Sequence, residues 1–413
     1  MRRTGMNLEA VKIRNKTAVL NILNRQGPMS RKDIAAKVGL TAAAVTVLCT
    51  EMIEEGILLE KGEVQEEERH AGRKKVLLDI NYEYQYVAAV SIEMSSTYIT
   101  ICDLKGSELA GKKIPTDKSL PPHEFLESIA RECIAFLWAN GRRLEEILGM
   151  GVCIPGIVDR EQGISLHAYG IWESPVNVKK EMEALMHCPV IVENNVKAFA
   201  EGELAYGQGR RDEDLLFLKW GPGVGSAIVI QDQIYEGKDH RAAEIGHYIV
   251  EPNGIACRCG RRGCLETRVS TQAIMGKIKT IYSEADTPVL YAQTGGNPDR
   301  ITEEDFNRWS KGKAETEFCI DDEKVFEIMD RSIERMARAV VNVLTILAPN
   351  NMILFGDMFE NKRIRTLFVE YCKSYDPSYN ENYIQKSKLS KKIYYIGATA
   401  IVTRKLFFER GNV

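Results

Sequence analysis

One cysteine-rich loop restricts the fold of this 413-residue chain more than any other stretch. Cys257, Cys259 and Cys264 lie within eight residues, and His247 precedes the first of them by ten. Three thiolates and one imidazole suit a tetrahedral Zn²⁺ ion with no open position, which is typical of a structural site. The spacing therefore predicts that these four residues bind structural zinc and join the segments on either side. Free thiols in a surface loop are the alternative.

The composition is that of a globular protein with several domains. Hydrophobic residues make up 44% of the chain and charged residues 27%, and 413 residues are too many for one compact core. No apolar run is long enough to cross a bilayer, and the N-terminus lacks the apolar stretch of a secretory signal. We expect a cytoplasmic protein without membrane insertion.

The first fifty residues are strongly basic, with nine Lys and Arg against two acidic residues. Apolar residues recur at helical spacing, and Gly27, Gly39 and Gly56 end three successive helical segments. Ser30 and Thr41 stand where the second and third helices need N-caps. Two short helices joined at a glycine predict a helix-turn-helix that faces DNA phosphates. A plain three-helix packing unit with a solvated charged face is the alternative.

The third helix of this unit is expected to enter the major groove of double-stranded DNA. Short side chains at its start allow few base contacts, so sequence specificity should be modest. The pattern of residues 57–80 predicts two strands around a charged loop, which together form a wing. The basic half of the loop is expected to reach the minor groove. A linker that is merely rich in charge is the alternative. The residues predicted to contact DNA are Ser30, Arg31, Thr41, Ala42, Ala43, Thr46, Arg69, Arg73 and Lys74.

From about residue 84 the chain alternates strands with helices, which indicates α/β layers. A strand–turn–strand pattern occurs at 86–104 and again at 214–231. This repetition predicts two related lobes with a ligand cleft between them.

The motifs "GMGVCIPG", "VENNVKAFAEGE", "GPGVG", "AEIGH" and "CRCGRRGCLE", in this order, resemble the ROK family of repressors and sugar kinases. The resemblance implies a two-lobed actin- and hexokinase-like α/β domain. With the N-terminal unit, it points to the family's sugar-responsive repressors, which include the xylose and N-acetylglucosamine repressors. The expected divisions are a winged helix-turn-helix at 1–80, a first lobe at 81–196 plus 388–413, and a second lobe at 197–387.

The resemblance also implies the same four zinc ligands and a set of sugar-binding groups. Glu244 and Glu266 flank the metal loop, so zinc would hold both carboxylates toward a sugar, with His247 beside them. Asn194 and Asn195 at the end of a strand complete the predicted sugar-binding set. A turn or helix cap is the alternative role for the two asparagines.

The residues that kinases of this family use for phosphate transfer are replaced here. Glu93 and Met94 stand where the first phosphate loop has glycines, and Pro222 stands where the second usually has threonine. Asn195 occupies the position of the catalytic aspartate, and an amide cannot act as a general base near pH 7. These three changes predict a binding protein rather than an enzyme.

The sequence thus predicts a transcriptional regulator of carbohydrate genes, most simply a repressor. Its affinity for DNA is expected to change when a bound sugar shifts the arrangement of the lobes. Reading two half-sites requires a homodimer, with a tetramer as the alternative. Two further alternatives are an ATP-dependent ROK sugar kinase with a fused DNA-binding domain, and a repressor controlled by a protein partner.

Overall fold

The computed structural model describes residues 8–63, 76–207, 213–302 and 322–409. A small helical domain precedes two α/β lobes, each built on a five-stranded sheet. This architecture agrees with the predicted fold class.

The N-terminal domain consists of three helices and a small antiparallel sheet. Its elements are α1 (Leu8–Gln26), β1 (Met29–Ser30), α2 (Arg31–Val38), α3 (Ala42–Glu54), β2 (Leu58–Glu63) and β3 (Val76–Ile80). The sheet order is β1-β3-β2. Gly39 ends α2 with a φ of 69°, a left-handed conformation that glycine adopts without strain. Fully buried Leu23, Ile34 and Val45 join the three helices into one core.

The first lobe carries a mixed sheet with the order β10-β7-β4-β5-β6. β4, β7 and β10 run parallel, whereas β5 and β6 extend the sheet as antiparallel strands. β4 and β7 are buried along their whole length, as expected for strands covered on both faces. The elements are β4 (Tyr86–Ile92), β5 (Ser96–Cys102), β6 (Glu108–Pro115), α4 (Pro122–Ala139), β7 (Ile147–Ile154), β8 (Ile157–Asp159), β9 (Ile164–His167), α5 (Val178–Met186) and β10 (Val190–Asn194).

The second lobe repeats this arrangement with the order β13-β12-β11-β14-β15. The central pair β11 and β14 is parallel, and β12 returns antiparallel to β11 after a glycine-rich turn. The elements are α6 (Asn195–Tyr206), β11 (Leu215–Trp220), β12 (Val224–Ile230), β13 (Gln233–Ile234), α7 (Glu266–Val269), α8 (Thr271–Ile281), α9 (Pro288–Thr294), α10 (Glu323–Leu347), β14 (Asn351–Phe355), α11 (Asp357–Glu360), α12 (Lys362–Tyr375) and β15 (Ile384–Lys386).

Two helices, α6 and α13 (Ile396–Val402), cross tightly between the sheets. Gly397 permits this approach, because a Cβ there would lie 2.5 Å from the backbone carbon of Ala198. Gly151 on β7 does the same on the other side of α13, where a Cβ would lie 2.2 Å from the carbonyl oxygen of Ala398. The start of α6, which follows β10 directly, is therefore held in a fixed place between the lobes.

A π-helical turn (Thr403–Phe408) follows α13 and packs against α1 of the N-terminal domain. The hydroxyl of Thr17 on α1 donates to the carbonyl oxygen of Glu409 at 3.3 Å. On the linker, the hydroxyl of Tyr82 donates to Oδ1 of Asn24 on α1 at 3.4 Å. The N-terminal domain thus contacts both the beginning and the end of the first lobe.

In the described residues, no single helix combines the length and hydropathy needed to cross a membrane, although α2 and α3 meet that test as a pair bent by 117°.

Candidate functional site

The exposed start of α3 is the candidate DNA-binding surface. Helices α2 and α3 meet at 117°, within the range found in helix-turn-helix motifs. Four of the residues predicted to contact DNA lie on the open face of α3. Val47, with a relative exposure of 60%, lies on the same face. Thr41 is also the N-cap of α3, since its side chain accepts a hydrogen bond from the amide of Ala44 at 3.2 Å. The four exposed residues from the prediction are Thr41, Ala42, Ala43 and Thr46.

Two other predicted DNA contacts have structural roles. Ser30 is buried, and its hydroxyl exchanges hydrogen bonds with Asp33 as the N-cap of α2. Arg31 lies 3.1 Å from a carboxylate oxygen of Glu60 on β2. Neither side chain points freely toward DNA, so a contact by either one stays a prediction. Arg69, Arg73 and Lys74 lie outside the described residues.

Part of the basic charge of the N-terminal domain is neutralised within the domain. Lys12 pairs with Glu51 at 2.7 Å, and Lys16 pairs with Glu55 at 2.8 Å while being 7% exposed. These ion pairs fasten α1 to α3. The excess of positive charge in the first fifty residues therefore overstates the charge available to DNA.

The predicted metal ligands come together in one cluster. The candidate ligand atoms of His247, Cys257, Cys259 and Cys264 all lie within 4.8 Å of one another. Nδ1 of His247 is 3.5 Å from Sγ of Cys257, and Sγ of Cys259 is 3.6 Å from Sγ of Cys264. Ligands about 2.3 Å from a tetrahedral ion are separated by nearly this distance. The cluster can therefore hold a metal ion.

The backbone around the cluster explains how the ligands converge. Gly263 has a φ of 73°, and a Cβ there would lie 1.7 Å from the carbonyl oxygen of Glu251, so only glycine fits. A bridge between Ile249 and Cys264 closes the loop onto the segment after His247. Burial lowers the pKa of His247 to about 4, so the imidazole is neutral and able to act as a ligand.

Both predicted carboxylates lie next to this loop. Oε2 of Glu244 is 3.8 Å from Nε2 of His247, whose other ring nitrogen, Nδ1, faces Sγ of Cys257. Oε2 of Glu266 accepts a hydrogen bond from the amide of Val224 at 3.0 Å, at the start of β12. Burial raises the pKa of Glu244 to about 7, opposed by Lys197 and reinforced by the negative charge of Glu266. The two carboxyl groups thus share one mostly buried region.

The two asparagines are occupied by contacts within the protein. Oδ1 of Asn194 caps α6 by accepting from the amides of Val196 and Lys197, and its Nδ2 donates to the carbonyl oxygen of Gly156. The helix-cap alternative therefore describes its main role. Nδ2 of Asn195 donates to Oε1 of Glu93 at 2.9 Å. Direct sugar contacts by either amide stay predictions.

Two residues of the first lobe that the sequence analysis did not select face the same region. The ring of Tyr169 packs edge-on against His247 with centroids 4.9 Å apart, and it also contacts the ring of His167 at 4.5 Å. Nδ1 of His167 is buried and has no hydrogen-bond partner among the described residues. An unpaired buried nitrogen next to a polar cleft suits a ligand hydroxyl. The motif "LHAYG" offered no spacing from which this placement could be recognised.

An ion pair spans the two lobes between β11 and the turn that joins β4 to β5. Nζ of Lys219, on β11, lies 3.1 and 3.3 Å from the carboxylate oxygens of Glu93, on the turn between β4 and β5. Beside it, Sδ of Met94 is 3.8 Å from a guanidinium nitrogen of Arg258 in the metal loop. The first lobe is thus connected to the second lobe by contacts of Glu93 and Met94, which are neighbours on one turn.

Comparison with known proteins agrees with this architecture. The model of the ROK family matches residues 88–405, and the model "Winged helix-turn-helix DNA-binding" matches residues 14–58. The xylose repressor of Caldicellulosiruptor bescii is 27% identical, covering 94% of this chain and 95% of the relative. The DNA-binding transcriptional dual regulator NagC of Escherichia coli is 24% identical, covering 89% of this chain and 86% of the relative.

Among solved structures, a ROK family transcriptional regulator described as a homologue of the E. coli MLC protein superposes with a TM-score of 0.76. The two chains are 21% identical, and the match covers 97% of this chain and 98% of that one. The likeness thus extends over the N-terminal domain as well as both lobes. Because the family model spans more than three quarters of its length, this chain belongs to the ROK family, with a winged helix-turn-helix domain at its N-terminus.

Proposed function

We propose that this protein is a DNA-binding transcriptional regulator, most simply a repressor of carbohydrate-utilisation genes, that responds to a sugar bound between its lobes. The observation that carries the proposal is the open face of α3, where Thr41, Ala42, Thr46 and Val47 are exposed at the start of a recognition helix. An exposed face at the start of the second helix of a helix-turn-helix suits the major groove of DNA. Relatives named xylose repressor and, in Escherichia coli, N-acetylglucosamine repressor support the sugar response.

The polar groups of the cleft suit a neutral sugar. Glu244 and Glu266 come from the metal-loop side and His167 from the first lobe, so a sugar would be contacted by both lobes. Carboxylates accept hydrogen bonds from hydroxyls, and a site built this way discriminates strongly against sugars that lack one of them. Closing on the ligand would bring the lobes into one preferred arrangement, and that arrangement would change DNA affinity.

The proposed ion in the loop is zinc with a structural role. Cys257, Cys259, Cys264 and His247 would fill all four tetrahedral positions, so the ion would hold the loop without activating water. Its effect on the sugar would be indirect, because the loop carries Glu244 and Glu266 on its flanks.

We further propose that the protein does not transfer phosphate. The Glu93 carboxylate would repel nucleotide phosphates, and the ammonium group of Lys219 beside it is already paired with it. Asn195 donates to Glu93 and has no basic group with which to deprotonate a sugar hydroxyl. A regulator of this type would act in the cytoplasm as a homodimer on paired half-sites, with a tetramer as the alternative.

The test uses the full-length protein and a duplex selected by its own binding from a random DNA library. Fluorescence anisotropy measures the Kd for this duplex alone and with D-xylose, D-glucose or N-acetyl-D-glucosamine. We expect one of the sugars to change the Kd at least tenfold, within the usual range of allosteric coupling. Glu266→Gln should bind the DNA normally and lose most of that change.

Two results would contradict the proposal. Steady consumption of ATP with formation of a sugar phosphate would identify a kinase. Selective DNA binding with a Kd that no sugar in a broad panel alters would favour control by a protein partner.

A further inference from the structure

A chain of ion pairs and one hydrogen bond runs from the cleft to the N-terminal domain, with buried Glu201 of α6 at its centre and exposed contacts at the N-terminal domain. Glu201 is 2% exposed. Its Oε1 lies 3.2 Å from Nη1 of Arg160, and its Oε2 lies 2.5 Å from Nη1 of Arg404. One carboxylate therefore joins an arginine of the first lobe, just after β8, to an arginine of the C-terminal π-helical turn.

On the cleft side, Arg160 continues the chain to the end of β10. Its Nε lies 3.4 Å from Oε2 of Glu193, which is fully buried. The other carboxylate oxygen of Glu193 accepts from the amide of Asn194 at 2.7 Å. Arg160 also lies 3.8 Å from Glu236, which pairs with Lys197 in the first turn of α6. Any shift of the β10–α6 junction changes the position of Arg160.

On the DNA side, Arg404 continues the chain to α1. Its Nε lies 2.9 Å from Oε1 of Glu409, and the carbonyl oxygen of Glu409 accepts from the hydroxyl of Thr17 on α1. The π-helical turn that carries Arg404 packs directly against α1. Thr17 is thus the first residue of the DNA-binding domain in the chain of contacts.

The burial of Glu201 makes this connection stiff. A carboxylate removed from water cannot lose a paired arginine without a large cost, so the three groups move together or exchange partners as a unit. Both arginines are partly exposed, at 24% and 36% for their side chains, which leaves them room to move with Glu201.

We propose that Glu201 is a positioning residue that couples the sugar-binding cleft to the DNA-binding domain through Arg160 on one side and Arg404 on the other. This inference rests on the proposed function, since it concerns how a bound sugar changes DNA affinity. It assigns a role to residues that contact neither the sugar-binding groups of the metal loop nor the exposed face of α3.

The experiment measures coupling as the ratio of DNA Kd values with and without sugar, using the selected duplex and the sugar to which the wild-type protein responds. Glu201→Gln keeps the shape of the side chain and removes its charge. We expect the ratio to fall from at least tenfold to less than about threefold. Sugar affinity, measured by calorimetry without DNA, should change less than about threefold. Glu360→Gln, which removes the separate ion pair with Lys386 in the second lobe, is the matched control and should keep the full ratio.

A second variant covers the case in which Glu201→Gln does not fold. Thr17→Val removes only the last hydrogen bond of the chain, at a half-buried position on α1. It should reduce the coupling ratio by about twofold to fivefold, with sugar binding unchanged. A purely structural role of the network would lower thermal stability and leave the coupling ratio intact.

The outcomes separate the two proposals. A wild-type protein whose DNA affinity ignores every sugar overturns the proposed function, and the coupling role falls with it. A wild-type response that both Glu201→Gln and Thr17→Val retain in full overturns the coupling role alone.

Discussion

The buried carboxyl group of Glu193 predicts a specific dependence of stability on pH. Burial raises the pKa of Glu193 from 4.5 to about 7, opposed first by Arg160, while Glu236 adds to the rise and Lys197 opposes it. The folded protein therefore keeps a proton that the unfolded chain loses between pH 4.5 and 7. Because the folded state then binds more protons, this group lowers stability as pH rises through that window.

The size of this loss of stability follows from the rise in the pKa of Glu193. A change of about 2.5 pKa units, at 1.36 kcal/mol per unit, corresponds to about 3 kcal/mol. Glu193 is completely buried, so solvent screening does not reduce this figure. Glu193→Gln keeps the side-chain shape and cannot ionise. The free energy of unfolding of the wild type, minus that of Glu193→Gln, should fall by about 3 kcal/mol between pH 4.5 and pH 7 and stay constant above.

The measurement is urea unfolding of both proteins at pH 4.5, 5.5, 6.5, 7.5 and 8.5, followed by circular dichroism. Subtracting the two curves removes the pH dependence of every other group. Glu161→Gln, at an exposed position of the same lobe, is the control for the general effect of replacing a glutamate by glutamine. A Glu193 difference that is flat, or that rises with pH, would refute the reasoning. The first result would mean that the buried pair with Arg160 is ionised throughout.

Three other perturbations test the metal loop, the contact between the lobes and the DNA surface. Cys259→Ser should remove most of the bound metal, measured by inductively coupled plasma mass spectrometry, and should weaken the sugar response. An unchanged metal content would exclude Cys259 as a ligand. Lys219→Met leaves the carboxylate of Glu93 without its ion-pair partner and should cost about 2 kcal/mol in urea unfolding, less than a fully buried pair because both side chains are partly exposed. Adding Glu93→Gln should recover about half of this loss, and a purely additive double variant would show that the pair contributes nothing. Val47→Glu should raise the Kd for DNA at least tenfold, measured by anisotropy, and leave the melting temperature unchanged. The substitution adds negative charge to an exposed face that we expect to meet phosphates. Normal DNA binding would exclude this face as the DNA-binding surface.

Local signals explain why much of the fold was predictable. Gly39 and Thr41 act through the backbone of their own helix ends, so the helix-turn-helix could be recognised from neighbouring residues alone. The alternation of strands and helices likewise reflects periodicities of a few residues. The convergence of Cys257, Cys259 and Cys264 follows from short spacing and two glycines, and the structure brings them together with His247 as predicted.

The contacts of the cleft could not be predicted in the same way, because they join residues far apart in the chain. The pairing of Glu93 with Lys219 spans 126 residues, and that of Glu201 with Arg404 spans 203. Nothing near Asn195 indicates that its amide donates to Glu93, and nothing near Tyr169 indicates that its ring packs against His247. Such contacts depend on how two lobes pack.

The amino-acid sequence by itself determined the order of the domains, the helix ends and the clustering of one histidine with three cysteines, since each of these is decided by interactions within a short segment. Only the tertiary structure decided how the polar groups are used. Packing of α6 and α13 between the sheets removes Glu193 and Glu201 from water, and each buried charge must then find a partner from another element. That requirement joins Arg160 and Arg404 to one carboxylate and connects the cleft with the DNA-binding domain.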